Sequence, residues 1–128
     1  MNLLFIIGRI ILGGYFLMNA YNHLFKSAGL VGYAESKKVP TAKTAVIGSG
    51  ILLLLGGLSI LFGVSTNTGI ALLVLFLIPV SFMMHAFWKE TDPMKKMGEQ
   101  VAFTKNMAIL GGLLMLLSLA TPWANSLS

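Results

Sequence analysis

The chain has 128 residues, of which 56% are hydrophobic and 10% are charged, and its mean hydropathy is +0.85. A water-soluble domain needs a larger charged fraction to cover its surface, so the composition predicts an integral membrane protein with a single domain over residues 1–128. The absence of cysteine excludes thiol–disulfide chemistry and thiolate metal sites within this chain.

Four apolar segments, each close to the ~20 residues that cross a ~30 Å hydrocarbon layer, predict an all-α bundle of four transmembrane helices. The predicted helices cover about residues 3–23, 42–63, 69–88 and 100–121. The first segment carries Arg9 and lacks both a basic start and a clear cleavage site, so it is expected to be a membrane helix and not a signal peptide. Glycine pairs at residues 13–14, 56–57 and 111–112 favour close packing between the helices.

Cations are concentrated on one side of the predicted bundle. Eight of the nine lysine and arginine residues lie in the first and third connections or at the adjoining helix ends: Lys26, Lys37, Lys38, Lys43, Lys89, Lys95, Lys96 and Lys105. The positive-inside rule therefore predicts that both long connections face the cytoplasm and both termini lie outside it. The pI of about 9.8 then indicates orientation and contact with anionic lipid, and nucleic-acid binding is not expected.

Most polar side chains that could bind a ligand gather at that same end of the helices. The candidate ligand-binding residues are Asn19, Asn22, His23, His85, Trp88 and Asn106. The i, i+3, i+4 spacing of the first three places them on one face of helix 1. His85 and Trp88 lie at the end of helix 3, and Asn106 lies near the start of helix 4. The sequence therefore predicts a site between helices 1, 3 and 4.

Each candidate also has a purely structural interpretation, which the sequence leaves open. The three residues of helix 1 could join helices by hydrogen bonds at the membrane boundary, and Trp88 is typical of an interfacial anchor. His85 needs hydrogen-bond partners among its apolar neighbours, and Asn22, His23 and Asn106 are the candidate partners.

Arg9 and Lys105 are predicted to contact lipid or a partner protein. An intramembrane arginine costs about 2.5–3.5 kcal/mol on insertion scales unless it is compensated. Backbone carbonyls, headgroups, an anionic lipid or a partner could compensate Arg9, whereas Lys105 is expected to extend to the headgroups. All four acidic residues are assigned to the connections, so no intramembrane acid is expected and the histidines are the expected proton carriers at neutral pH.

Four pieces of the sequence carry a family resemblance. They are GRIILG at residues 8–13, KVP at 38–40, HAFW at 85–88 and KNMAILGG at 105–112. Together they resemble the DoxX family over about residues 3–118, which implies a four-helix protein of a bacterial or archaeal inner membrane. Many similar proteins carry a glutamate near the start of helix 2, where this chain reads VIGSG at residues 46–50.

The resemblance also implies the leading functional hypothesis. Some DoxX relatives are linked to membrane redox systems as subunits near quinone-converting enzymes, including thiosulfate:quinone oxidoreductase, and others belong to oxidative-stress complexes. The chain is therefore expected to be an accessory subunit with a quinone pocket, in which His85, Asn106 and Asn22 supply hydrogen bonds and Trp88 an aromatic wall. No redox centre is encoded, so catalysis by this chain alone is not expected and no catalytic residue is assigned.

Three alternatives remain open at this stage. A non-enzymatic interaction or assembly module is favoured by the glycine-rich helices and by Arg9, and small-solute transport is a weaker alternative. Haem held by His23 and His85 is the weakest, and no other metal site is expected. The expected partners are the lipid bilayer, other membrane redox subunits or a second copy of the chain.

Overall fold

A computed structural model describes residues 3–124 and residue 126. This part of the chain is 82% helical and contains no strand. Its elements are α1 (Leu3–Phe25), α2 (Ser27–Ser36), α3 (Ala42–Phe62), α4 (Thr66–Met84), a 3-10 turn (Phe87–Lys89) and α5 (Pro93–Leu117). Four helical segments are long and apolar enough to cross a membrane, beginning at Leu3, Ala42, Thr66 and Pro93. The predicted all-α bundle of four membrane-spanning helices is confirmed.

The helices are consecutive neighbours along the bundle: α1 packs on α3, α3 on α4, and α4 on α5. The loop end of the bundle carries α2 and the 3-10 turn, and the terminal end carries the start of α1 and the segment after α5. The most deeply buried side chains, which include Phe16, Leu53, Leu73 and Leu113, join the four long helices into one core. Other large apolar side chains point outward, with Leu4 80% and Met115 73% exposed, as suits contact with lipid.

Two of the predicted helices begin and end at other residues in the structure. The last helix begins at Pro93, not near residue 100, because the Asp92 side chain accepts a hydrogen bond from Lys95 N at 3.0 Å and Pro93 occupies the first turn. That helix ends at Leu117. The helix predicted over residues 69–88 instead covers Thr66–Met84, so His85 follows the helix as its C-cap and Trp88 lies in the separate 3-10 turn.

The short helix α2 was not predicted. It lies in the connection between α1 and α3, and it packs on α3 through a small second core in which Ala34 meets Ala42 and Val46. The backbone is irregular on both sides of α2, at Lys26 before it and at Lys38 after it, where φ is 60°. α2 is therefore a separate small element laid across the loop end.

Glycines set the spacing of the first three membrane helices. A Cβ on Gly13 of α1 would stand 3.1 Å from the Gly57 carbonyl oxygen of α3. On the other side of α3, a Cβ on Gly56 would collide with Leu73, and a Cβ on Gly69 would collide with Ser59. The predicted role in close packing is confirmed for Gly13 and for the pair at 56–57. It is wrong for Gly14 of α1 and for the pair at 111–112 of α5, which all face open space.

Arg9 is 6% exposed and is directed into the terminal end of the bundle, where backbone carbonyls compensate it, one of the alternatives that the sequence left open beside lipid or a partner. Its guanidinium donates to the carbonyl oxygens of Ile60 at 3.2 Å, Leu61 at 3.1 Å and Ala124 at 2.8 Å. It also lies 5.9 Å from the centre of the Trp123 ring. The carbonyls of the last turn of α3 have no partner within the helix, so they attract this cation inward.

The Gly69→Ala variant should lower the stability of the bundle by about 1–3 kcal/mol, because the new methyl group collides with Ser59 at the α3–α4 contact. The matched Gly111→Ala variant adds its methyl group in open space, so it should be neutral or slightly stabilising, as alanine generally is in a helix. Thermal unfolding in detergent measures both. Equal melting temperatures for the two variants would contradict the proposed packing.

Candidate functional site

A cavity of about 480 Å³ lies inside the loop end of the bundle and is partly open. All five helices contribute to its wall, and the lining is mostly apolar. Leu53 and Leu77 mark its deeper part, and α2 covers the loop side with Leu30, Tyr33 and Ala34. The sequence placed the site between three helices; the structure adds α2 and α3 to them.

Part of the cavity lining is exposed at the outer surface of α3 and α4. Several lining residues from these two helices are also exposed at the outer surface: Thr44, Ala45, Gly48, Leu75, Pro79 and Met83. Leu75 is 59% exposed and Met83 is 46% exposed. Both residues lie in a helix that is long and apolar enough to cross a membrane.

The structure brings together four of the six predicted ligand-binding residues. Asn19, His23, His85 and Asn106 line the cavity, and Asn22 and Trp88 do not. Trp88 instead packs in an aromatic cluster with Phe82, Phe87 and Phe103, at ring-centre distances of 6.0, 5.2 and 5.5 Å. Trp88 is 48% exposed, as an interfacial anchor would be. The expected aromatic wall from Trp88 is therefore absent from this cavity, because the chain turns away after Met84.

On the α1 side, the polar groups form a short chain of hydrogen bonds to the backbone. Asn19 Nδ2 donates to the Tyr15 carbonyl oxygen at 2.8 Å, and His23 Nδ1 lies 2.8 Å from the Asn19 carbonyl oxygen. The His23 ring also meets the Phe76 ring edge-on, with 5.8 Å between ring centres. These contacts hold both side chains in fixed orientations against the cavity.

On the α5 side, Lys105 and Asn106 line the cavity together. They were expected near the start of the last helix, but they lie about 18 Å along α5 from Pro93, at 1.5 Å per residue. The Lys105 ammonium stands 5.8 Å from the centre of the Tyr15 ring of α1. Lys105 is exposed, whereas Asn106 is 6% exposed and its side chain has no hydrogen-bond partner among the described residues.

A polar cluster closes the loop end of the cavity; it consists of Tyr33, Lys37, His85, Glu90 and Glu99. The Tyr33 hydroxyl lies 2.6 Å from both carboxylate oxygens of Glu99. Lys37 Nζ pairs with Glu99 at 2.6 Å and with Glu90 at 2.7 Å. His85 Nδ1 lies 3.2 Å from Glu99 Oε1. Glu99 therefore joins α2, the end of α4 and α5 through a single carboxylate.

Glu99 is the member of the polar cluster that the sequence did not single out. It was assigned to a connection, but it lies in α5 within the candidate membrane span Pro93–Leu117. It is also the partner of His85, so the candidate partners named from the sequence were wrong. The missed signal was the Asp92-Pro93 helix start, which carries Glu99 onto the helix.

The charge states of the two members of the cluster outside the membrane-spanning segments follow from their surroundings. Burial raises the pKa of Tyr33, and its hydrogen bond to Glu99 raises it further. Burial alone would lower the pKa of Lys37, but its hydrogen bonds with Glu90 and Glu99 outweigh that effect and raise the pKa. At neutral pH, Tyr33 is therefore a neutral donor and Lys37 is a cation.

The residues that the structure describes contain no cluster of metal-binding side chains. Among residues 3–124 and 126, no group of three or more histidine, cysteine, aspartate or glutamate side chains is placed to hold a metal ion. His23 and His85 both line the cavity, but His85 is engaged through Nδ1 with Glu99.

Comparison with known proteins identifies one family. The family model described as DoxX matches residues 4–86, which is more than half of the chain. The match takes in α1 to α4 and ends just after His85, so the resemblance noted at Lys105 and Asn106 lies beyond it. Searches of curated proteins and of solved structures found no match.

The Lys37→Met variant should loosen α2 over the cavity, because it removes the ion pairs to Glu90 and Glu99. The exposure of the cavity can be measured with a Ser49→Cys substitution in its wall. The new thiol is the single labelling site, because the chain has no other cysteine. Its labelling by a water-soluble maleimide should be about fivefold faster with Lys37→Met, as expected for loss of about 1 kcal/mol.

The matched control for this labelling experiment is Lys38→Met, which removes an exposed neighbouring cation. It should leave the labelling rate of the Ser49→Cys reporter unchanged. If Lys37→Met and Lys38→Met gave the same rate, α2 would not be held over the cavity by the ion pairs of Lys37.

Proposed function

This chain belongs to the DoxX family, and we propose that it is an accessory subunit of a quinone-linked membrane redox system that holds the quinone head group in its cavity. The observation that supports the proposal most strongly is the cavity at the loop end. Its volume of about 480 Å³ lies within the roughly 300–1,000 Å³ of typical small-molecule pockets. Its lining combines an apolar wall with a few polar groups, which suits an amphiphilic ligand.

Access from the bilayer supports a quinone over a water-soluble ligand. The exposed lining residues of α3 and α4, such as Leu75 and Met83, face the lipid-contacting surface of the bundle. A quinone is dissolved in the bilayer and carries its polar atoms on a ring at one end. The head group would enter between these helices and meet Asn106 and Lys105, while the isoprenoid tail would stay against lipid.

In this proposal, the polar groups in the cavity bind and orient the quinone head group. A partner subunit transfers the electrons. Asn106 offers an amide that has no hydrogen-bond partner among the described residues, and a buried polar group left unpaired is costly. A quinone oxygen would satisfy it. Quinone conversion also needs an electron carrier, and the proposal assigns that carrier to another membrane redox subunit.

The proposal also includes the location of the protein in the inner membrane and its orientation there. Because the lysine-rich connections flank the cavity, the positive-inside rule places the loop end at the cytoplasmic face of the inner membrane and both termini outside the cytoplasm. The polar cluster around Glu99 would then separate the cavity from cytoplasmic water.

Replacing Asn106 should weaken quinone binding. Purified protein in detergent is titrated with decylubiquinone and, separately, with its reduced form, and bound ligand is measured by equilibrium dialysis. The Asn106→Leu variant should bind each form about tenfold more weakly, because one hydrogen bond to the head group is lost.

The matched control for Asn106→Leu is Asn67→Leu, at an exposed asparagine in the first turn of α4. It should bind like the unaltered chain. Lack of binding of either form by the unaltered chain would overturn the proposed function, and so would an Asn106→Leu variant that binds normally.

A further inference from the structure

The His23 ring leaves one nitrogen for a ligand, and that nitrogen is an acceptor. Its Nδ1 lies 2.8 Å from the Asn19 carbonyl oxygen, and a carbonyl oxygen only accepts hydrogen bonds. Nδ1 therefore carries the proton, and Nε2 of the neutral ring presents a lone pair. His23 lines the cavity, and Nε2 has no hydrogen-bond partner among the described residues.

Asn19 presents a second acceptor on the same wall. Its Nδ2 donates to the Tyr15 carbonyl oxygen at 2.8 Å, and this bond fixes which end of the amide is which. The Asn19 Oδ1 atom remains as an acceptor beside the cavity that Asn19 lines. The α1 wall thus offers two acceptors, from Asn19 and His23, beside the Tyr15 hydroxyl, which can donate or accept. The two acceptors suit a ligand group that donates a hydrogen bond.

The polar residues of α5 that line the cavity have the complementary character. The Lys105 ammonium only donates, and the Asn106 amide, which is 6% exposed, has two donors and one acceptor. A ligand oxygen on this side can therefore accept a hydrogen bond. Among the cavity-lining groups, Asn19 and His23 of α1 thus present acceptors, and Lys105 and Asn106 of α5 present donors.

We infer that the cavity binds the reduced, hydroxyl-bearing head group of a hydroquinone in preference to the oxidised quinone, an inference that rests on the proposed function. A hydroquinone donates one hydroxyl to His23 Nε2, and its other ring oxygen accepts from Asn106. A quinone has only acceptor oxygens, so one of them would face the lone pair of Nε2 with no hydrogen between. The site discriminates as protein sites do when a buried polar group is left unpaired by the wrong ligand.

The test compares the two redox forms on the intact chain under anaerobic conditions. Decylubiquinol and decylubiquinone are titrated separately at about pH 8, above the ordinary pKa of imidazole. The reduced form should bind about tenfold more tightly than the oxidised form, the factor expected for one unmade hydrogen bond to a buried group. Equal binding, or tighter binding of the oxidised form, would overturn the inference and leave the proposed function standing.

The His23→Phe variant tests the cause of the preference. It keeps a ring against Phe76 but removes the acceptor, so it should weaken decylubiquinol binding about tenfold without weakening decylubiquinone binding, and the preference should disappear. Asn106→Leu should weaken both forms alike and keep their ratio. A preference that survives in His23→Phe would overturn the role of His23, and binding of neither form by the unaltered chain would overturn both proposals.

Discussion

The close contact of α3 with both of its neighbours is the constraint on which the rest of the bundle depends. Gly57 lets α3 meet α1 at Gly13, and Gly56 lets it meet α4 at Leu73. These contacts lie in the terminal half of α3, where side chains larger than hydrogen do not fit. Toward the loop end, the facing positions on α3 and α4 carry full side chains, such as Leu52 and Phe76, and the cavity lies among them. The cavity thus lies among the side chains of the loop end, although α1 still approaches α3 closely there at Gly50, where a Cβ would stand 2.9 Å from His23 Cβ.

The two ends are closed by different chemistry. At the terminal end, Arg9 satisfies the last carbonyls of α3 and lies near the Trp123 ring, so a buried cation is held by backbone dipoles and aromatic faces. At the loop end, Glu99 gathers Tyr33, Lys37 and His85 from three other parts of the chain. The cluster around Glu99 is partly buried and can be opened by breaking a few contacts, whereas Arg9 is part of the fixed packing.

Sequence patterns predicted the features that depend on local composition. Segment length and hydropathy predicted four membrane helices, and the i, i+3, i+4 spacing of Asn19, Asn22 and His23 predicted a polar stretch on α1 that the structure places at the cavity. Asn22 belongs to that stretch but does not line the cavity, because the direction of each side chain depends on how α1 packs against α3. The helix α2 was missed because its apolar face is short and includes two glycines, so only its contact with Ala42 and Val46 reveals its role.

The largest error came from one helix boundary. Placing the start of the last helix at residue 100 hid Glu99 and put Asn106 at a helix end, whereas the Asp92 cap moves both onto the body of α5. His85 shows the same dependence: a helix that ends at Met84 directs its ring to Glu99 and not to the asparagines proposed from the sequence. Residue types alone could not predict that Glu99 is the partner of His85. That contact depends on where α4 ends and on how α5 is positioned beside it.

Native mass spectrometry of the chain, extracted gently from its own membranes, tests most directly whether the cavity holds a membrane-borne ligand. The proposed function predicts a bound mass that matches a quinone or hydroquinone and that is lost when Asn106 is replaced by leucine. A chain that carries no small molecule, either alone or together with a second polypeptide, would contradict it.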